Sequence, residues 1–155
     1  MTDVDWNFQL AEQLDWHWRG QLRPRLNGLT DEEYRWEPVP GAWNVRPRGT
    51  GTAPIAVGAG EFTIDYATHR YPGDAATALA QLDAAYAGWI GGVRGLGPDD
   101  MARAVGPAEG PYADHPMAEL VLHINREMLH HGAEIALLRD LYRWHFDGKF
   151  DGKGA

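Results

Sequence analysis

Residues 116–145 read PMAELVLHINREMLHHGAEIALLRDLYRWH, and their apolar positions decide the fold class. Met117, Leu120, Val121, Ile124, Met128, Ile135, Leu138 and Tyr142 recur at the steps of one buried helix face. Pro116 suits a first turn, where its missing N–H removes no helical hydrogen bond. Arg139, Arg143 and His145 fall toward the far end, where cations complement the helix dipole. The spacing predicts a single long helix from about residue 114 or 116 to His145, docked against other helices.

Upstream, residues 3–26 repeat the pattern. Asp3 or Asp5 serves as a cap, and Trp6, Leu10, Leu14, Trp18 and Leu22 recur every four residues. Pro24 is tolerable only near the end of such a helix, and Asn27-Gly28 is a stop signal. Thr30 and Glu33 have capping-box spacing and open a short helix through Trp36, which Pro38 and Pro40 end. From the cap Asp74 to about Leu96, the residues Leu79, Leu82, Tyr86, Trp89, Ile90 and Val93 form a third stripe. Strand-like alternation is almost absent. The expected fold is all-α: an antiparallel up-and-down bundle with three long helices, one domain over residues 1–146, and a flexible tail at 147–155.

Between Gly41 and Gly73 the chain is dense in glycine and proline, and a helical period returns only around residues 61–69. So long a loop inside a compact domain marks either function or a missing element.

At 155 residues the chain supports one core. Apolar residues make up 44% and charged residues 23%, a globular balance, and seven tryptophans imply a substantial core or a lined cavity. The net charge of -8 argues against nucleic acid and against an anionic membrane surface as partners. With no cysteine, disulfides, thiolate metal sites and a cysteine nucleophile are excluded. The chain also lacks serine, so a serine nucleophile is excluded. No run is long enough to span a bilayer, and the acidic start Met1-Thr2-Asp3 lacks a signal-peptide pattern, so a cytoplasmic location is expected.

Chemistry concentrates in the last helix. His123 and Glu127, Glu127 and His131, and His130 and Glu134 are each four apart, so each pair shares a helix face and has metal-chelating spacing. His123 and His131 are separated by roughly 12 Å of rise and cannot comfortably share an ion. Glu127 and His131 interrupt the buried stripe, whereas His123 and His130 fall to its flank. A carboxylate on a core-facing line must be paired, hydrogen-bonded or metal-bound, which favours Glu127 and His131 as the metal pair. The plainer reading pairs Glu127 with Arg126, Arg139 or an arginine of another helix. Gly132 reads as a packing position that lets a neighbouring helix approach. His17 reads as a helix-surface histidine and His115 as a loop or cap residue. Trp36, Trp43 and Trp144 read as core and loop anchors. The Gly49-Thr50-Gly51-Thr52 and Gly58-Ala59-Gly60 strings lack the remaining parts of a dinucleotide or phosphate loop.

The stretch from His123 to Tyr142 resembles the last helix of DinB-like proteins, the superfamily that includes mycothiol-dependent maleylpyruvate isomerase. Residues 14–19 and 22–48 resemble the N-terminal helix and loop of one branch. The resemblance implies a four-helix bundle holding zinc or nickel through three side chains, a low-molecular-weight thiol as co-substrate, and dimerisation. It places a Glu-x-x-x-His ligand pair on Glu127 and His131. The third ligand in that family is a histidine on the second long helix, and most of that helix is missing here: Glu61–Ala67 runs almost directly into Thr68–Gly73. His69 sits where the third helix should begin and does not inherit the ligand role. The metal site is therefore expected to be incomplete, with water or His17 left to finish the shell. A homodimer is expected, because a missing helix leaves an apolar face to be covered. The alternative is a non-catalytic binding or dimerisation module that keeps only the fold.

Overall fold

Asp5 opens the first helix by accepting the backbone N–H of Phe8 at 3.0 Å, which satisfies one of the orphan donors of the first turn. The computed structural model describes residues 4–45 and 71–148. Helix α1 covers Trp6–His17, widens into a π-helical turn at Trp18–Leu22, and closes as α2 over Arg23–Arg25. Pro24 gives a reason for the widening. In plain α geometry its ring would strike the carbonyl of Gly20, which lies inside the π turn.

A tight turn with Gly28 at φ 72 leads to α3, Asp31–Arg35, where the Thr30 hydroxyl accepts from Glu33 N at 3.2 Å as its spacing predicts. The helix stops one residue short of Trp36, which is already extended. Helix α4, Ala75–Arg94, begins where Asp74 accepts the Thr77 N–H at 2.7 Å. A short α5, Pro98–Ala102, and a 3₁₀ stretch, Pro107–Tyr112, lead to α6, Met117–Asp147. Among the described residues there is no strand, only an isolated bridge between Ala104 and Pro116.

Long-range contacts fix the helix directions. Arg94 reaches Glu12, Tyr86 reaches Asp15, and Arg23 reaches Asp83, so α1 and α4 run antiparallel. Asn125 donates to Leu10 O at 3.0 Å and Arg25 to Ala136 O at 3.1 Å, so α6 runs parallel to α1. The three long helices thus go up, down and up, which is the expected all-α architecture. Leu14, Trp18, Leu22, Leu82, Ile90, Val121 and Ile135 fill the core, each worth on the order of 1.5–3 kcal/mol of apolar burial. The Trp18 and Tyr86 rings stack at 4.3 Å and 13° in its centre.

Several expectations need correction. Trp6 belongs to the periodic stripe by count but is exposed, because it is the first residue of α1. Trp43 and Trp144 are exposed and lie outside the core, whereas Trp36 packs edge-on against Tyr142 at 5.5 Å. Arg139 is not a solvent cation near a helix end: it is fully enclosed and pairs with Glu33. The helical stretch expected at residues 61–69, His69, and most of the expected tail lie outside the described residues; α6 itself runs to Asp147 and ends on left-handed Gly148.

Candidate metal centre

Glu127 and His131 stand one turn apart on α6, so their side chains meet over the same face. Glu127 Oε2 lies 3.2 Å from His131 Nε2, and on the opposite side of the ring Glu134 Oε2 lies 2.8 Å from Nδ1. The His131 side chain is 8% exposed and that of Glu127 22%. His123 lies on the flank and His130 faces solvent, in keeping with their place beside the stripe.

A neutral imidazole carries one N–H and cannot donate to both carboxylates at once. A cation held between Glu127 Oε2 and His131 Nε2 would leave Nδ1–H free to meet Glu134. Two ligands at about 2.1 Å from a tetrahedral ion stand roughly 3.4 Å apart. The 3.2 Å separation of Glu127 Oε2 and His131 Nε2 fits that spacing. The 2.8 Å contact to Glu134 then suits an Nδ1–H donor, the type of outer contact that fixes the orientation of a metal-binding histidine.

The other oxygen of Glu127 is engaged separately. Oε1 accepts from Arg126 at 3.2 Å and lies 3.7 Å from His123 Nδ1. Oε2 is thereby left directed to His131. Beyond His123, burial pushes the Glu109 carboxyl above its ordinary range, and the charge of His123 pulls it partly back. On the solvent side, donor atoms of His130, His131 and Glu134 gather within 4.8 Å, though His130 and Glu134 are exposed.

His17 departs from its surface reading. Its Nδ1 lies 3.1 Å from Gln21 Oε1, and its Nε2 is buried without a hydrogen-bond partner. It packs at the crossing of α1 and α6, where a Cβ on Gly132 would come within 3.6 Å of Nε2. The crossing was legible in Gly132, but the burial of the Nε2 edge of the half-buried His17 was not. The Glu134 contact was also missed, although an i,i+3 spacing from His131 carries it. His115 behaves as expected of a cap-region residue, with Nδ1 2.9 Å from Glu119 in the first turn of α6.

A family profile described as the DinB superfamily matches residues 13–135. The chain belongs to the DinB superfamily. Among curated proteins and among solved structures, nothing matches it. The DinB match takes in the last turn of α1, all of α4 and the part of α6 that carries Glu127 and His131. Among the described residues, no helix of this DinB protein is long and apolar enough to cross a membrane.

Proposed function

We propose that this DinB-superfamily protein binds a divalent metal ion, zinc or nickel, between Glu127 Oε2 and His131 Nε2. The supporting observation is their 3.2 Å approach on a largely buried ring whose opposite nitrogen meets Glu134. When bound, such an ion supplies Lewis acidity and lowers the pKa of a water or thiol at its open positions. The chain's own residues prepare that site. Glu134 holds His131 Nδ1, and Arg126 holds Glu127 Oε1, so each ligand presents its other atom inward. With two protein donors, the remaining positions fall to water, to His17 or to an incoming low-molecular-weight thiol. Thiol-dependent transfer or isomerisation is the reaction class that goes with this reading.

A second reading is a non-catalytic binding module that retains the fold. It is favoured by Arg126, whose guanidinium pairs with Glu127 at 3.2 Å without any ion.

Elemental analysis of protein purified without a histidine tag separates the two. About one zinc or nickel per chain, lost in Glu127→Ala and His131→Ala, supports the metal site, and His17→Ala reports whether α1 contributes. Absence of metal, with thermal stability unchanged by chelator or by added zinc, supports the module and overturns the metal reading.

A further inference from the structure

The turn between α2 and α3 contains Asn27-Gly28, both residues exposed. An asparagine side chain ends in an amide carbonyl, and the backbone nitrogen of the next residue is the nucleophile placed to close a five-membered ring on it. A side chain on that next residue obstructs the closure, and glycine has none. Gly28 sits at φ 72, and even an added Cβ would meet nothing within 4 Å. Among the described residues its N–H donates to no backbone carbonyl, although the neighbouring Asn27 and Leu29 amides donate to Pro24 and Leu26. Within these residues the nucleophile is both unengaged and unhindered.

Arg23 prepares the electrophile. Asp83 fixes this guanidinium by accepting from Nε and Nη2 at 2.6 and 3.0 Å, and Nη1 donates to Asn27 Oδ1 at 2.9 Å. A cationic donor on Oδ1 draws charge from Cγ and stays in place as that oxygen becomes anionic, the role an oxyanion hole plays in acyl transfer. We propose that Asn27 is a self-modification site. Gly28 N attacks Asn27 Cγ, Arg23 stabilises the tetrahedral oxyanion, and the side-chain amide nitrogen leaves as ammonia. The Gly28 amide proton goes to solvent, the departing nitrogen takes one up, and a cyclic imide remains. Water then adds to either imide carbonyl and breaks its bond to Gly28 N. Opening at the side-chain carbonyl leaves an aspartate, and opening at the main-chain carbonyl leaves an isoaspartyl link. The sum is amide plus water to carboxylic acid plus ammonia, with no change of oxidation state.

The position gives the modification a consequence. The Asn27 carbonyl accepts from Arg139 at 3.1 Å, and Arg139 also holds Glu33 on α3. In the isoaspartyl form that carbonyl becomes a free carboxylate, and the main chain runs through the former side chain. The turn joining α2 to α3 is then longer than the guanidinium that ties both to α6 requires. None of this chemistry involves Glu127 or His131, so it is independent of the metal reading.

Incubation of the full chain at mildly alkaline pH, followed by peptide mass mapping and an isoaspartyl assay, tests the proposal. Modification should fall on Asn27 and spare Asn7, Asn44 and Asn125, which precede Phe8, Val45 and Arg126. The folded protein should react at least as fast as the chain in urea, because the fold supplies the Arg23 contact. Arg23→Met should slow the folded protein by about tenfold, the worth of one hydrogen bond from a charged donor, and leave the rate in urea unchanged. Aged protein should melt below fresh protein and below the Asn27→Asp variant, which carries the new charge on an unaltered main chain. An Asn27 that survives in the folded protein while it reacts in urea overturns the proposal. So does an Arg23→Met protein that reacts as fast as wild type with its fold verified by circular dichroism.

Discussion

Arg139 donates from Nε and Nη2 to the two carboxylate oxygens of Glu33, at 2.6 and 3.1 Å, in a bidentate pair shut away from solvent. Its remaining nitrogen donates to the carbonyls of Arg25 and Asn27. One guanidinium therefore ties α6 to the end of α2 and to α3. Removing one member of such a pair strands a buried charge, at a cost of about 3–5 kcal/mol. Arg139→Ala should lower the melting temperature by roughly 10 °C. A double variant, Arg139→Met with Glu33→Leu, should recover much of that loss, and a melt of both proteins checks it. Equal loss in the single and double variants contradicts this assignment.

A side chain at Gly132 is predicted to cost stability. A Cβ there would lie 3.0 Å from Leu22 Cδ2 and 3.2 Å from Cδ1, and Leu22 is itself buried. Gly132→Ala gains helix propensity but forces both methyl groups aside, a net loss of about 1–2 kcal/mol. Gly91→Ala on the exposed side of α4 meets nothing within 4 Å. It should stabilise by about 0.5–1 kcal/mol. Urea denaturation of the two variants should show opposite signs.

Tyr86 and Asp15 predict losses of stability at both pH extremes. Burial, then its hydrogen bond to Asp15, pushes the Tyr86 hydroxyl from 10.0 up to about 12. Because the unfolded chain gives up this proton first, the stabilisation is complete below pH 10 and is lost as pH climbs from 10 to 12. Burial also raises the Asp15 carboxyl, but its bonds to Tyr86 and Arg19 and the charges of Arg19 and Arg94 outweigh that and hold it below 3.8. Its contribution is present above 3.8 and is lost as pH falls through the lower folded value. Thermal melts of Tyr86→Phe should decline less steeply than wild type between pH 10 and 12. Equal slopes would count against the account.

The three long helices were legible because each writes a 3.6-residue stripe, and the caps Asp5 of α1, Asp74 of α4 and Thr30 of the short α3 accept where their positions predict. That Glu127 and His131 meet on the inner side of α6 was legible for a related reason, since polar groups there interrupt a buried line. What escaped depends on contacts between segments far apart in sequence. Arg139 looks like any cation near a helix end until Glu33, 106 positions away, is placed beside it. His17 looks like a surface residue until α6 brings Gly132 against it. Trp43 and Trp144 read as core and loop anchors, yet both are exposed, and large aromatics also occupy contact surfaces.

The most direct test of the metal assignment is a calorimetric titration of metal-stripped protein with zinc, comparing wild type, Glu127→Gln and Glu134→Gln. The account predicts near one equivalent bound by wild type and binding abolished in Glu127→Gln. It predicts affinity reduced by about 10–100-fold in Glu134→Gln, as befits a residue that only orients the ligand. Glu127→Gln binding zinc as tightly as wild type, or wild type binding none, would contradict it.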